Sequence, residues 1–237
     1  MKNIALIIAG GCGARMQQDI PKQFINIHDR PVIIYTLQAF QHHPQIDAIE
    51  VVCISGWHEI LKAYAHQFNI AKLESIVDGG NCGQESIYNG ITDIRTRHEP
   101  DDVVIIHDAI RPFVSQEIIS DCLRVCYQYG NATTVIPCAE AMLTTDDGFS
   151  STGQINRDSL KRTQTPQAFR LDDIIEAHKE AKNRGITNSI ASCTLFQELG
   201  KKVYFSIGAE KNVKLTTPED LEIFKALLSC KKDDWLK

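Results

Sequence analysis

The segment from Ile4 to Lys22, IALIIAGGCGARMQQDIPK, limits what this chain can fold into more than any other stretch. An apolar run, Ile4 to Ile8, too short to cross a membrane, breaks into Gly10, Gly11 and Gly13. Arg15 follows, and then Lys22 behind Pro21. That order describes a buried strand feeding a phosphate-binding loop. Glycines let the backbone turn tightly and bring N–H groups against an anion, and two cations just downstream can neutralise a polyphosphate. The loop lacks the Gly-Lys-Ser/Thr ending of a Walker loop. With Ala14, Arg15 and Met16 after Gly13 it does not complete the Gly-x-Gly-x-x-Gly of a dinucleotide fold either. A tight strand-to-helix connection carrying a surface arginine would account for the glycines alone; the pairing of Arg15 with Lys22 is what adds phosphate chemistry.

A chain of 237 residues can bury a sizeable core, so the expectation is one α/β domain over residues 1–237. The formal net charge of −5 argues against a general nucleic-acid binder, whose surface would be basic, and leaves room for a local basic pocket. The eight cysteines are scattered and read as free thiols of a reducing compartment. Only Cys122 and Cys126 are close, at helical spacing, and without a companion Cys or His pair they read as core packing rather than zinc. Neither a cleavable leader nor a membrane span is visible, and a cytoplasmic location with no membrane partner is expected.

Short apolar runs alternate with helical periods. Ile49 to Ile54 reads as a strand after a helix over Val32 to Gln41, and Val103 to His107 as a strand after a helix over Gln84 to Arg97. Ala132 to Pro137 follows a helix closed by Gly130, a left-handed cap. Strands separated by helices imply a largely parallel sheet covered on both faces, with ligands at the carboxyl ends of the strands. Ala139 to Arg157 breaks the rhythm, with a turn signal at Asp147 and Gly148 and few large apolar residues. It reads as a hairpin arm that packs on another subunit or stays a surface loop. Thr217, Pro218, Glu219 and Asp220 spell the start of a last helix.

Four more stretches carry polar chemistry at strand ends. In HDAIRPF, Asp108 can hold a metal-bound phosphate or a sugar hydroxyl, or pair structurally with Arg111; His107 reads as a packed strand-end residue. In DGGNCGQES, Gly79, Gly80 and Gly83 free the backbone to approach a flat ligand, with Asn81 and Ser86 as donors and acceptors, although a plain turn would look the same. TQTPQAF contains Thr165, with Arg157 upstream, and Lys214 stands just before the last helix.

Together these pieces resemble the cytidylyltransferases that act on polyol phosphates, the methylerythritol phosphate and ribitol phosphate enzymes. AGGCGARM with PKQF, DGG with Ser86, HDAIRPF, Asn156 with Arg157, QTPQAF and NVKLTTPEDL stand in family order from about Ile4 to Leu228. The resemblance implies a Rossmann-like nucleotidyltransferase fold with a protruding β-hairpin arm over residues 139–157, CTP as the nucleotide, Mg²⁺ as cofactor, and a homodimer. Carried over by position, Ala9, Gly10, Gly11, Gly13, Arg15 and Lys22 would hold the triphosphate. Gly80, Asn81 and Ser86 would contact cytosine and ribose, and Asp108 would lie near the ribose and the metal. The partner's Arg157, with Thr165 and Lys214, would surround the acceptor phosphate, and Arg111 would support the pocket. Arg15, Lys22 and Lys214 would be the catalytic cations.

Several positions depart from the methylerythritol pattern. Glu140 and Ala141 stand where an Asp-Thr pair is expected, Gly83 replaces an Arg, and Asn156 replaces an Asp. A Thr-Asp pair is missing near Thr187, Asn188, Ser189 and Ala191, whereas Cys193 and Phe196 look nearer the ribitol type. A ribitol-like acceptor is therefore slightly favoured over methylerythritol phosphate. A sugar-1-phosphate nucleotidyltransferase using another nucleotide, or a non-catalytic CTP-binding module, are the alternatives.

Overall fold

The computed structural model describes residues 1–11 and 20–229. Gly13 and Arg15 lie outside them. In chain order the elements are β1 (Asn3–Ala9), a 3-10 turn (Lys22–Phe24), β2 (Asn26–Ile27), β3 (Arg30–Pro31), α1 (Val32–Gln41), β4 (Ala48–Cys53) and α2 (His58–Gln67). Then come β5 (Leu73–Asp78), α3 (Gly83–Ile94), β6 (Val103–Asp108), α4 (Gln116–Tyr129), β7 (Asn131–Pro137), β8 (Met142–Thr144) and β9 (Gly153–Ile155). The chain closes with β10 (Lys161–Arg170), α5 (Leu171–Asn183), α6 (Ser192–Glu198), β11 (Phe205–Ile207) and α7 (Pro218–Ser229).

A seven-stranded sheet orders these strands β11-β7-β10-β6-β1-β4-β5. Its centre is parallel, β6, β1, β4 and β5 running together, while β10 is antiparallel to both β6 and β7. The expected parallel sheet thus holds with one reversed strand. The apolar runs behave as strands covered on both faces should: alternate residues go to opposite cores. Ala5, Ile7, Ile49, Val51 and Ile105 meet α1, α2 and α4 through Leu37, Phe40, Leu61 and Cys122. Ile4, Leu6, Val52, Val104 and Ile106 meet α3, α5 and α6 through Ile91, Ile94, Ile174 and Phe196. Each such fully buried aliphatic side chain contributes about 1.5–3 kcal/mol relative to exposure.

The local signals place the ends. Gly130 closes α4 at φ +88°, donating its N–H to the Cys126 carbonyl at 2.8 Å. At the head of α7 the Asp220 carboxylate accepts the Thr216 and Thr217 N–H groups at 2.7 and 2.8 Å, and Thr217 Oγ1 accepts the Asp220 N–H in return. The helix docks by Leu221 and Phe224 against Ile27, Val32, Ile110 and Leu215. Cys122 and Cys126 are core residues, and the six described cysteines are free. β8 and β9 form the expected hairpin, from which Leu143 and Phe149 project exposed.

β4 buries one carboxyl side chain in the sheet, Glu50. Burial pushes the Glu50 carboxyl up to about 9, helped by Asp93 and opposed by Arg97. Its ordinary value is 4.5, so the folded chain holds this proton more tightly than the unfolded chain. The contribution is whole below the unfolded value and declines as pH rises towards the folded one. Glu50→Gln is expected to remove this slope, melting above the parent near pH 9 and no higher than it near pH 5, as thermal unfolding followed across about that pH range will show.

Candidate active site

The order of the sheet reverses at β1, which sends one connection to β4 and receives β6 on its other side. A crevice opens at such a switch point because the flanking crossovers leave in opposite directions. Here it is a cavity of about 440 Å³ lined by Ala9, Gly10 and Gly11, by Lys22 and Gln23, by the loop after β5, and by Asp108 and Lys214.

Backbone contact sets its floor. A Cβ on Gly79 would stand 3.2 Å from Gly10 Cα and 3.4 Å from Ser86 Oγ, so the close approach of the loops after β1 and β5 favours glycine at both positions. The loop after β5 is internally tied. Ser86 Oγ accepts the Gly80 N–H at 3.0 Å and donates to the Cys82 carbonyl at 2.9 Å, while the Asn81 N–H and side-chain amide both donate to Glu85, at 2.7 and 2.9 Å. Ser86 and Asn81 line the cavity as expected, but their polar groups are first spent in holding the loop.

Gln23 carries a role that the motif alone does not announce. Buried behind the loop after β1, its amide donates to the Ala9 carbonyl at 2.7 Å and the Gly11 carbonyl at 3.1 Å. Phe24 beside it stacks on Trp57 at 4.6 Å. The turn that presents Lys22 is thereby fastened to the end of β1.

Asp108 ends β6 with two cations on its carboxylate, Arg111 Nε at 3.0 Å and Lys214 Nζ at 3.2 Å. Burial alone would raise this carboxyl; Lys214 and Arg111 outweigh it and hold the group below the usual carboxylate range. Both sequence readings of Asp108 are therefore realised, a structural pair with Arg111 and a place on the cavity wall. His107 is fully buried against Phe40, with Nε2 3.1 Å from the Arg111 carbonyl. Burial lowers it to about 4, so it is a neutral ring that donates to that carbonyl and shapes the turn.

Thr165, Arg111 and Arg157 do not line this cavity. Thr165 sits where the pairing of β10 with β7 is interrupted between Thr163 and Gln167. The irregularity turns its hydroxyl to accept the Asp108 N–H at 3.1 Å. Arg111 lies behind Asp108 and donates to the Asn212 carbonyl at 2.8 Å. Arg157 belongs to the arm, donates to the Ala139 carbonyl at 3.0 Å and lines a separate concavity with Ala141, Met142 and Leu143. Asn156 Oδ1 accepts the Asp158 N–H, a capping bond its replaced carboxylate could equally make. Cys193 and Phe196 are interior residues, bonded to Gln167 and packed on Phe169, so they do not touch an acceptor in the cavity.

The family model described as 2-C-methyl-D-erythritol 4-phosphate cytidylyltransferase matches residues 3–230. The chain belongs to this family. It is 40% identical over 226 residues to the ribitol-5-phosphate cytidylyltransferase of Lacticaseibacillus paracasei, covering 94% of this chain and 97% of that one. To the 2-C-methyl-D-erythritol 4-phosphate cytidylyltransferase of Clostridium botulinum it is 37% identical over 230 residues, covering 96% and 97%. The solved 4-diphosphocytidyl-2C-methyl-D-erythritol synthase of Anaerococcus prevotii shares the fold, with a TM-score of 0.82 at 24% identity over 97% of this chain and 96% of that one. The enzyme is thus a cytidylyltransferase, and the readings as a sugar-1-phosphate enzyme or a non-catalytic module fall away.

Among the described residues no cluster of three or more His, Cys, Asp or Glu could cage a metal ion. Asp108, with Oδ2 on Arg111 and Oδ1 on Lys214, could join a Mg²⁺ ion only as one ligand beside waters and substrate phosphates, the way that ion is commonly held.

Gln23→Ala would remove the side-chain donor from both carbonyls, Ala9 keeping the Ile54 N–H at 3.2 Å and the exposed Gly11 turning to water, a loss of about 0.5–1.5 kcal/mol per hydrogen bond. The expected result is a folded enzyme with kcat/KM for CTP lowered about tenfold or more and a reduced Tm, read by steady-state kinetics and thermal melting.

Proposed function

We propose that the cavity binds CTP and that the enzyme transfers its cytidylyl group to a polyol phosphate, with ribitol 5-phosphate preferred over 2-C-methyl-D-erythritol 4-phosphate, releasing pyrophosphate. The observation that carries the reading is the convergence of both glycine loops, Lys22, Asp108 and Lys214 on one crevice at the switch point of the sheet. Glu140 and Ala141 in place of the Asp-Thr pair support the choice of acceptor.

The roles follow from the chemistry. A phosphate monoester is ionised near neutral pH, so its oxygen attacks the α-phosphorus of CTP without a general base. The bond from that phosphorus to the bridging oxygen breaks, and pyrophosphate carries the electron pair away. The barrier is the approach of two anions. Lys22, Lys214 and Arg15 offset that repulsion, and the backbone at Ala9, Gly10, Gly11 and Gly13 cradles the triphosphate. Gly80, Asn81 and Ser86 read the base and ribose. Asp108 would hold Mg²⁺, which when bound offsets triphosphate charge and polarises the phosphoryl oxygens.

The assembly proposed is a homodimer of a single nucleotidyltransferase domain, working in a reducing cytoplasm that suits its free thiols. The arm, residues 139–157, reaches the neighbouring copy, so that the partner's Arg157 faces the acceptor phosphate beside Thr165, while Arg111 supports the wall. The exposed Met142, Leu143 and Phe149 favour an arm that is covered in the assembly. Among the described residues no helix is long and apolar enough to cross a membrane.

Pyrophosphate release with CTP, Mg²⁺ and a panel of polyol phosphates tests the reading. The highest kcat/KM is expected with ribitol 5-phosphate, and a preference for methylerythritol phosphate would overturn the acceptor while leaving the reaction. Lys22→Ala and Lys214→Ala are each expected to lower turnover by ~10²-fold or more with the fold intact, the scale of removing one electrostatic stabiliser. Near-normal rates would defeat their assignment.

A further inference from the structure

Lys214 stands on an irregular segment between β11 and α7, where no helix or strand fixes its backbone. Unsupported, such a segment would let a long side chain drift, and electrostatic help to a reacting phosphate depends on placing the charge before the reaction begins. Two anchors flank the lysine. Downstream, Leu215 is buried and its N–H donates to the Ile110 carbonyl at 2.9 Å.

The upstream anchor is polar and wholly interior. Asn212 is 0% exposed. Its side-chain amide donates to Gln164 Oε1 at 3.2 Å and to the Thr165 carbonyl at 2.8 Å, while its own backbone carbonyl accepts from Arg111 at 2.8 Å. Gln164, also buried, closes the arrangement on the incoming segment, its Nε2 donating to the Ala209 carbonyl at 2.9 Å and its Oε1 accepting the Ala209 N–H at 3.3 Å. These bonds need Gln164 and Thr165 to face away from regular pairing, as the interruption of β10 between Thr163 and Gln167 allows.

A closed ring results: Asp108 to Arg111, Arg111 to the Asn212 carbonyl, two residues along the chain to Lys214, and Lys214 back to Asp108. Although Asn212 Oδ1 itself is buried without a partner among the described residues, the amide bonds that are made fix the arrangement, because each one broken leaves a further desolvated polar group.

We propose that Asn212 and Gln164 are positioning residues for Lys214: their buried amide clamp holds the segment so that its ammonium stands over Asp108 at the cavity. Neither touches a reacting atom. The inference rests on the phosphate role given to Lys214 above, and the experiment separates the two.

Gln164→Met, close in volume and without the amide, and Asn212→Ala are made in the parent and in Lys214→Ala. Each is expected to cut kcat about fivefold or more in the parent while KM for CTP stays within about twofold, and to change kcat by less than about twofold once Lys214 is gone, the non-additivity of residues acting through one group. Equal losses in both backgrounds, or no loss in the parent, would overturn the clamp. Should Asn212→Ala fail to fold, Gln164→Met decides alone. Where Lys214→Ala turns over too slowly to compare, acylation of lysines by acetic anhydride, read by mass spectrometry in the full chain, replaces it. Lys214 should label several-fold faster in Gln164→Met than in the parent with Lys62 unchanged, and an unchanged Lys214 rate would end the proposal. Near-normal turnover of Lys214→Ala itself would instead remove the phosphate role on which the clamp depends.

Discussion

The carboxylate at the end of β6 is the interaction on which the cavity depends. A buried anion is tolerated only when paired, and Asp108 is paired twice, by Arg111 from its own turn and by Lys214 from a segment 106 residues further along. Either cation alone would balance the carboxylate; the second contact, from Lys214, ties the distant segment to the head of the sheet. Two cations on one carboxylate leave one positive charge over at the cavity wall. In a chain of net charge −5 this is a local inversion of sign, and it suits the polyphosphate proposed for this cavity.

Sterics give that charge its shape. The parallel centre of the sheet brings the ends of β1, β5 and β6 to one edge, and the contact between Gly10 and Gly79 brings two of the loops together along their backbones. With side chains excluded from that contact, the groups left to face a ligand there are peptide N–H and C=O, whose positions are fixed by the strands behind them. The polar side chains nearby, Ser86, Glu85 and Gln23, spend their hydrogen bonds on the loops. The division is economical in entropy: the side chains hold the backbone still, and the backbone presents the groups.

Much of this was legible in the sequence, for physical reasons that also mark where legibility ends. β1, β4 and β6 are buried on both faces and so announce themselves as unbroken apolar runs, and Gly130 and Thr217 mark helix ends because each satisfies a specific backbone need. β5 did not announce itself: it is an edge strand, half-exposed, with Glu74 and Ser75 inside it. β10 hides for another reason. Its Pro166 cannot donate to a ladder and argues against a central strand, and only the interruption beside it makes the strand possible. The site motifs were readable because glycines and charges are conspicuous, whereas Gln23, Gln164 and Asn212 were not singled out. A buried amide has no periodic signal; its importance lies in partners far away along the chain, which only the fold reveals.

The same distinction bears on why the nucleotide half of the site is easier to read than the acceptor half. Groups around the cavity are tied into the sheet, so the fold itself penalises their loss. Glu140, Ala141, Asn156 and Arg157 lie on an exposed arm, where substitutions away from special features usually change stability by no more than about 0.5 kcal/mol. An arm of this kind can alter what it offers an acceptor without disturbing the β1 loop or Asp108. In the proposed homodimer it would do so from the other copy. Relatives named for ribitol and for methylerythritol phosphates stand at 40% and 37% identity to this one chain.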